Sequence, residues 1–391
     1  MIVLEAKLKG RAEQYALIDE AIRTSLFCRN KALRYWMDNE KVNSYDLNKQ
    51  MAVLAKEFEF AGKLNSQARQ SGSERAWSGI ARFFDNCKKQ TPGKKGYPKF
   101  KKRGNSVEYK QTGWKLSGDR KYLTLTDGFQ IGRLKLIGSR ELNFYQIEQI
   151  KRVRLVRRAD GYYAQFCLDV VRTETITPSQ KAVGLDVGLN HFYTDSQGDV
   201  IENPRHLRKS ERKLKKLQRK VSKRKKGSAN RKKAVKRLAR KHLKISRQRK
   251  DFAVKTARYV VRSNDLIAYE DLQVRNMVKN HKLAKSISDA SWSMFREWVE
   301  YFGKVYGKVT IAVPPQYTSQ NCSTCGTLVK KTLSTRTHCC GHCGTVLDRD
   351  HNAALNILAR GLKRVGHTQI NACGEFDLRQ VDVSLVGKSS H

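Results

Sequence analysis

The sequence predicts an α+β chain of several domains: a small β-barrel carrying a helical insertion, then a mixed-sheet domain interrupted by a cysteine-rich ribbon. Three observations predict it. Short strand-like runs with glycine turns lie on either side of a long helical stretch in the first 178 residues. Three acidic segments follow in order: Val183-Gly184-Leu185-Asp186-Val187-Gly188-Leu189, Ile267-Ala268-Tyr269-Glu270-Asp271-Leu272 and Asp348-Arg349-Asp350-His351-Asn352-Ala353-Ala354. Between the second and third lie four cysteines in two C-x-x-C units. The first two acids end apolar runs and the third opens a helix. An RNase H-type sheet would bring distant carboxylates together from such places. Three converging carboxylates can hold two divalent metal ions about 4 Å apart and support cleavage of a phosphodiester.

Composition narrows the partners. The 391 residues hold 79 Lys and Arg against 36 Asp and Glu, a formal charge of +43 with an isoelectric point near 10.1. Self-repulsion on that scale opposes compaction, so the natural neutraliser is a polyanion. With 39% apolar and 9% aromatic residues the chain can still bury real cores, and its length suits roughly two to four domains. A basic membrane-surface protein is the competing class, but no apolar run approaches ~18 residues. The opening Met1-Ile2-Val3-Leu4-Glu5-Ala6 lacks the layout of a signal peptide. Nine cysteines, four of them in paired C-x-x-C units, suit a reducing compartment and a metal better than a disulfide framework. A cytoplasmic location is expected.

The first half alternates strand, helices and strands. Residues 1–8 alternate like a strand. From about 11 to 38 the apolar positions Leu17, Ile18, Ala21, Ile22, Leu26, Leu33 and Trp36 recur at helical spacing. Two more helical stretches cover roughly 44–61 and 65–88, the last with Trp77, Ile80, Ala81 and Phe84 on one face. A Gly/Pro/Lys linker over 91–104 breaks the pattern. Short strands follow at Tyr122 to Leu125 and Leu134 to Ile137, then a hairpin from Lys151 to Arg158 and Tyr162 to Val171 about Ala159-Asp160-Gly161. Five or six such strands suggest a small barrel, with 11–88 inserted after the first. In the hairpin, Lys151, Arg152, Arg154, Arg157 and Arg158 alternate partly with Val153, Leu155 and Val156. One face can pack while the other meets phosphates, although a soluble edge strand has the same look.

A second unit begins near 181. Lys181 to Val187, His191 to Asp195 and Val200-Ile201 predict three antiparallel strands, with Asp186 facing a cleft. Taken singly, Asp186 would be a turn or capping aspartate. Gly184 and Gly188 beside it suggest close approach of backbone to a ligand. Residues 205–250 contain 24 Lys or Arg and one acid, Glu211, around a thin stripe of Leu207, Leu214, Leu217, Val221, Val235, Leu238 and Leu243. With Gly227-Ser228 at its middle, this predicts a basic helical hairpin lying against phosphates. A separate helix near 251–263 leads to the strand ending at Glu270. Strand alternation puts Asp271 on the other face, as an outer-shell or capping acid. Ser291 to Tyr301 predicts a helix packing through Trp292, Phe295, Trp298 and Val299, and Lys308 to Val313 a strand stopped by Pro314-Pro315.

Cys322-Ser323-Thr324-Cys325-Gly326 and Cys340-Gly341-His342-Cys343-Gly344 form two knuckles. Each turns two thiolates toward one ion, and four thiolates leave no open position, so Cys322, Cys325, Cys340 and Cys343 predict one structural Zn²⁺. A redox C-x-x-C is the other reading of such a unit. His338 and Cys339 are possible substitute ligands, with Cys339 taken as spare. Cys28, Cys87, Cys167 and Cys373 read as small core or surface residues. Asp350 precedes a helix whose Ala353, Ala354, Ile357 and Leu358 allow close packing on a sheet; alone it would be a cap. Its order after Asp186 and Glu270 makes it the third candidate acid, with Asp348 as cap or supporting carboxylate.

Together, G-L-D-V-G at 184–188, Y-E-D-L at 269–272, T-S-Q-x-C-S-x-C-G at 318–326, C-x-x-C-G at 340–344 and D-R-D-x-N-A-A-x-N-I at 348–357 resemble the TnpB family, as does G-Y-P-K-F-K at 96–101. These are proteins of bacterial and archaeal insertion sequences, similar to the ancestor of type V CRISPR nucleases, and the resemblance covers roughly residues 1–360. It implies a wedge-type barrel over 1–10 and 89–178 and a helical recognition insertion over 11–88. It implies a RuvC nuclease domain over 179–316 and 346–366, including the basic hairpin at 205–250, and a zinc ribbon over 317–345. A tail over 367–391 is expected to be disordered. The implied function is an RNA-guided DNA endonuclease, monomeric and nucleoid-associated, with a guide RNA from the transposon end and a double-stranded DNA target carrying a short flanking motif. The implied triad is Asp186, Glu270 and Asp350 on two Mg²⁺, with Asp186 bridging. A nuclease-inactive guided repressor, a strand-transferring transposase and a guide-free resolvase are the alternatives. The intact acids speak against the first, and the N-terminal barrel with its insertion against the second. Resolvases are usually much smaller and dimeric, which speaks against the third.

Overall fold

The structure, a computed structural model, describes residues 1–332 and 334–366; the tail expected over 367–391, with Cys373, lies outside the described residues. The chain divides after Val171 into two compact units. No described helix is long and apolar enough to cross a membrane.

In the first unit β1 (Ile2–Lys9) leads into α1 (Ala12–Asp38), α2 (Ser44–Glu57), α3 (Glu59–Lys63) and α4 (Ser66–Lys88). Six strands follow: β2 (Ser106–Tyr109), β3 (Trp114–Leu116), β4 (Tyr122–Leu125), β5 (Arg133–Ile137), β6 (Ile150–Arg158) and β7 (Gly161–Leu168). They form one antiparallel sheet in the order β2-β6-β7-β1-β5-β4-β3. The barrel expected from five or six strands is therefore an open sheet of seven, with β2 and β3 as its outer strands. Both were invisible in the sequence because four and three residues are too few to show alternation. Helix α4 covers the β2 edge, where Arg75 donates to the Ser106 carbonyl at 3.2 Å. Leu8, Leu134, Leu155 and Phe166 of the sheet pack with Ile18 and Ile22 of α1, while Leu33, Leu47, Met51 and Ile80 form a separate core among the helices. Phe84, placed by periodicity on the packed face, is instead 51% exposed, and meets Trp36 edge-on.

The arginines of β6 are largely spoken for. Glu108 on β2 accepts from Arg152 at 3.0 Å and from Arg154 at 2.8 and 2.6 Å. Arg157 pairs with Asp19 at 2.9 Å, and Arg158 pairs with Glu5. Burial pushes the Glu108 carboxyl up, but Arg154, Arg152 and Arg75 outweigh it and hold it below the usual range. The phosphate-facing strand predicted from alternation is thus an internally neutralised one, because acids on neighbouring elements sit in register with it.

In the second unit β8 (Ala182–Val187), β9 (His191–Asp195) and β10 (Val200–Glu202) are antiparallel neighbours. Then come α5 (His206–Ser222), α6 (Ala229–Ser263) and β11 (Leu266–Glu270), followed by the short α7 (Val274–Met277) and α8 (Ala284–Ala290). Helix α9 (Trp292–Tyr306) precedes β12 (Val309–Val313), β13 (Thr337–Cys339), β14 (Val346–Asp348) and α10 (Arg349–Arg364). The five-stranded sheet runs β10-β9-β8-β11-β12, with β11 and β12 parallel to β8. One face carries Val183, Leu185, Ile267 and Tyr269 against α6 and α9; the other carries Ala182, Leu266 and Ala268 against α10.

The basic hairpin is α5 and α6, but α6 runs 35 residues and absorbs the stretch expected as a separate helix at 251–263. No Gly or Pro interrupts it at Lys250, Asp251 pairs with Lys255 one turn on instead of capping a new helix, and Ala253, Ala257, Val260 and Val261 carry its buried side on into the core. Asp289 anchors the hairpin, accepting from the Leu207 and Arg208 backbone NH groups at the start of α5 and from Arg249 of α6 at 3.0 and 2.9 Å.

Gly184 serves packing rather than a ligand. A Cβ there would lie 2.2 Å from the Ala354 carbonyl oxygen and 2.7 Å from the Leu358 nitrogen, and a Cβ at Gly361 would lie 2.6 Å from Ala268 Cβ. The inference of a ligand close to Gly184 is corrected accordingly: its missing side chain lets α10 lie directly on the sheet. Gly184→Ala should lower stability by ~1–3 kcal/mol, the usual cost of overpacking. Denaturant titration checks this, and an unchanged midpoint would refute it.

Candidate functional site

Parallel register builds the acid pair. Leu185 of β8 pairs with Tyr269 of β11, so Asp186 and Glu270, one residue further, stand level on adjacent strands. Each lies two residues beyond a position that touches α10, Gly184 and Ala268, and so shares that face. Asp350 sits in the first turn of the same helix. Asp348 caps that turn, accepting from the Asp350 and His351 backbone NH groups at 2.8 and 3.1 Å. All three candidate acids thus meet at one end of the sheet, beneath one helix start.

Their electrostatics reflect the crowding. Burial, then the charges of Glu270 and Asp350, push the Asp186 carboxyl well above its ordinary value of 3.8, with Arg349 opposing. Burial also raises Glu270, against a hydrogen bond from Thr318 and the charge of Arg360. Thr318 Oγ1 donates to Glu270 Oε1 at 2.6 Å. Arg349 donates to Asp350 Oδ1 through Nε at 2.9 Å and Nη2 at 2.7 Å, and Arg336 lies 3.7 Å from Asp350 Oδ2. Asp271 points the other way, paired with Arg296, which also donates to Glu300 at 2.8 Å. A cavity of about 520 Å³ opens there, lined by residues including Asp271, Arg275 and Arg296.

An all-carboxylate donor set suits a hard divalent cation such as Mg²⁺. Among the described residues, however, only the four cysteines bring their ligand atoms mutually within 4.8 Å. Asp350 turns toward Arg349 and Glu270 toward Thr318, so closing the three acids on an ion requires side-chain rotation.

The cysteine cluster is already closed. Cys322 and Cys343 sulfurs lie 3.6 Å apart, as do those of Cys325 and Cys340. That is far beyond a disulfide and near the about 3.8 Å edge of a tetrahedron with Zn–S of about 2.3 Å. The two knuckles are built alike: Gly326 NH donates to Cys322 O and Gly344 NH to Cys340 O, each at 2.9 Å, with both glycines at positive φ. Burial raises the Cys322 thiol, but the backbone NH groups of Cys325 and Thr324, with His338 and Cys343, bring it down to about 5. The hydroxyl and NH of Thr327 bring Cys325 down to about 7. Backbone NH groups of Cys343 and His342 favour the Cys340 thiolate, yet burial and the neighbouring sulfurs push it up to about 11. Four thiols in one site do not all ionise unaided, which is the chemistry a dication resolves. Cys339 is exposed and outside the set, and His338 is buried beside Lys331. Cys28 and Cys167 are buried and Cys87 exposed.

Several residues escaped sequence reasoning. Asn352 donates to the Asn321 carbonyl at 2.8 Å and accepts from Ser323 NH at 2.9 Å; Asn356 donates to Thr318 O at 2.9 Å and Asn321 O at 2.8 Å. They tie the ribbon to the helix bearing Asp350. Both stand in the D-R-D-x-N-A-A-x-N-I segment, where their spacing of four was the available signal.

Residues 165–281 match the family described as "Probable transposase" (OrfB of IS605), and residues 292–357 the family described as "Cas12f1-like, TNB domain". A Streptomyces pristinaespiralis protein provisionally named an RNA-guided DNA endonuclease is 34% identical over 390 residues, covering 97% of this chain and 92% of that one. InsQ of Escherichia coli K12, with the same provisional name, is 31% identical over 297 residues, covering 72% and 71%. In fold, the chain is similar to the protein of a Cas12f1–sgRNA–target DNA complex solved by cryo-EM, with a TM-score of 0.55, 14% identity and coverage of 89% and 83%.

Two outcomes follow from the site. Because Asp186 and Glu270 are raised, the folded state holds their protons more tightly than the unfolded one. Stability present below their ordinary values of 3.8 and 4.5 is therefore lost as pH rises through the raised ones. Without added divalent ions, Asp186→Asn should raise Tm at pH 7.5 by roughly 2–4 °C, about 1 kcal/mol, with a shrinking gain toward pH 4. Calorimetry across pH checks this, and a lower Tm at pH 7.5 would contradict it. For the ribbon, Cys322→Ser should destabilise a module that gains on the order of 10 kcal/mol from its metal. Elemental analysis should find one zinc per chain; much less in active protein would exclude a structural zinc.

Proposed function

The chain belongs to the TnpB family of transposon-associated RNA-guided DNA endonucleases, and on that premise we propose that Asp186, Glu270 and Asp350 form the RuvC-type nuclease site of this molecule. The observation that carries the reading is the level placement of Asp186 and Glu270 on β8 and β11, with Asp350 brought to the same face by α10. Asp186, Glu270 and Asp350 would hold two Mg²⁺ ions, which would supply Lewis-acid charge to a phosphodiester under attack by water. The family resemblance gives Asp186 the shared role between the two ions. Thr318 fixes the rotamer of Glu270, and Arg349 holds the Asp350 carboxylate at the helix start through two hydrogen bonds. The zinc ribbon on Cys322, Cys325, Cys340 and Cys343 does no chemistry; through Asn352 and Asn356 it steadies the helix that carries Asp350.

Guide RNA and target DNA are the partners. The exposed cations of α5 and α6 meet phosphates, giving affinity without sequence reading. Base pairing with the guide chooses the sequence, and the first unit reads a short flanking motif on double-stranded DNA. The domain names implied by the family resemblance fit this division: a wedge sheet with its helical recognition insertion before Val171, and the nuclease with its ribbon after it.

Asp186→Ala, loaded with guide RNA, should bind matched DNA as well as wild type, because affinity rests on dozens of cations. Cutting should fall at least about a thousandfold, ~4 kcal/mol of transition-state stabilisation. Near wild-type cutting in Mg²⁺ would remove the triad assignment. Changing Lys232, Lys233, Lys236 and Arg237 together to Ala should weaken RNA binding equally for every sequence and flatten its salt dependence. Equal cutting of matched and scrambled targets by RNA-free protein would favour a guide-free nuclease.

A further inference from the structure

The loop from β12 to the first knuckle holds a strained aromatic. Tyr317 adopts φ +61°, the left-handed region that a bulky side chain disfavours. Seven other non-glycine described residues do so, and they are Lys, Gln, Arg or Ser, with Tyr317 the one aromatic among them. Its conformation is over-determined. Arg360 of α10 donates to the carbonyls of Pro314 and Gln316, both at 2.8 Å. Gln320 and Asn321 NH donate to the Tyr317 carbonyl at 3.1 and 2.9 Å, and Asn356 donates to that of Thr318. Packing does not explain the ring. Tyr317 is 59% exposed, and among the described residues its ring makes no aromatic or cation–π contact. A glycine or asparagine would satisfy this turn at lower cost. The very next residue, Thr318, holds Glu270.

We propose that Tyr317 is a positioning residue for the nuclease: its ring stacks on an unpaired base of the DNA strand being cut and sets the neighbouring phosphate over Asp186, Glu270 and Asp350. This rests on the nuclease reading above. A guide-directed enzyme meets a different sequence at its acids with every target, so contacts that seat the strand there must be indifferent to base identity. Every base offers a π-face, so stacking on an aromatic side chain meets that requirement, whereas hydrogen bonding to base edges does not. The strain places the ring at a fixed point on a rigid loop one residue from the Glu270 contact, so the strand is located relative to the acids and not merely attracted.

The test uses the full chain loaded with guide RNA, a matched target carrying the flanking motif, and single-turnover cleavage. Tyr317→Gly relieves the backbone and should keep or raise Tm and leave guided binding unchanged. Its cleavage rate should fall roughly tenfold, within what one base–aromatic stack contributes. Tyr317→Phe should stay within about twofold of wild type, since stacking needs the ring and not the hydroxyl. An abasic site walked along the cut strand should find one position where wild type loses that same factor and Tyr317→Gly loses nothing more. Cleavage by Tyr317→Gly within twofold of wild type, or abasic losses that multiply with the substitution at every position, would overturn the assignment. Absence of guided cutting by wild type itself is a different result; it defeats the nuclease reading and this proposal with it.

Discussion

The second unit depends on one contact, the backbone-to-backbone seat of α10 on the sheet. Gly184 on β8 and Gly361 on α10 open the space for it, and Ala268 and Ala354 line it. A helix held at ordinary side-chain distance would stand several ångströms further off, and Asp350 at its start would lose its place beside Asp186 and Glu270. The same helix carries Asn352 and Asn356 to the ribbon and Arg360 to the Pro314–Gln316 turn. One close approach therefore sets the third acid, the ribbon and the loop that steadies the second acid.

Charge is distributed by role. The hairpin of α5 and α6 has two acids, Glu211 and Asp251, against more than two dozen cations, so acids within the hairpin can match only a few of them. The β6 arginines in the first unit are matched instead by Glu108, Asp19 and Glu5. A cation already paired releases few counterions when it meets a phosphate, because its charge is compensated beforehand. A count of cations alone thus overstates the first unit's hold on nucleic acid, and the unmatched charge is concentrated on the hairpin.

How much could be read from the chain alone follows from the range of each interaction. The C-x-x-C knuckles, the apolar runs of β8 and β11 and the stripe of α5 are local patterns, so the cysteines, the strands and the hairpin were legible. Asp186, Glu270 and Asp350 were legible through chain order, because each ends or begins an element whose place in such a sheet is constrained. The rest depends on contacts that sequence spacing does not encode. Gly184 signalled close approach correctly but not what approaches, since ligand and helix backbone make the same demand on a missing Cβ. Thr318 gains its role only once the loop after β12 is held against α10 by Asn356. The pairing of Glu108 with Arg152 and Arg154 needs β2, a strand too short to announce itself.

The distance along the chain between Gly184 and Ala354 has a consequence in time. Contacts spanning so many residues form late, after local helices and hairpins have paid little loop-closure entropy to assemble. During synthesis the basic hairpin is complete before α10 has left the ribosome, since domains order from the N-terminus onward. The nascent chain thus acquires its grip on polyanions first and its third acid last. Order of synthesis makes the arrival of Asp350 beside Asp186 and Glu270 the final step in the assembly of the second unit, after the hairpin is complete.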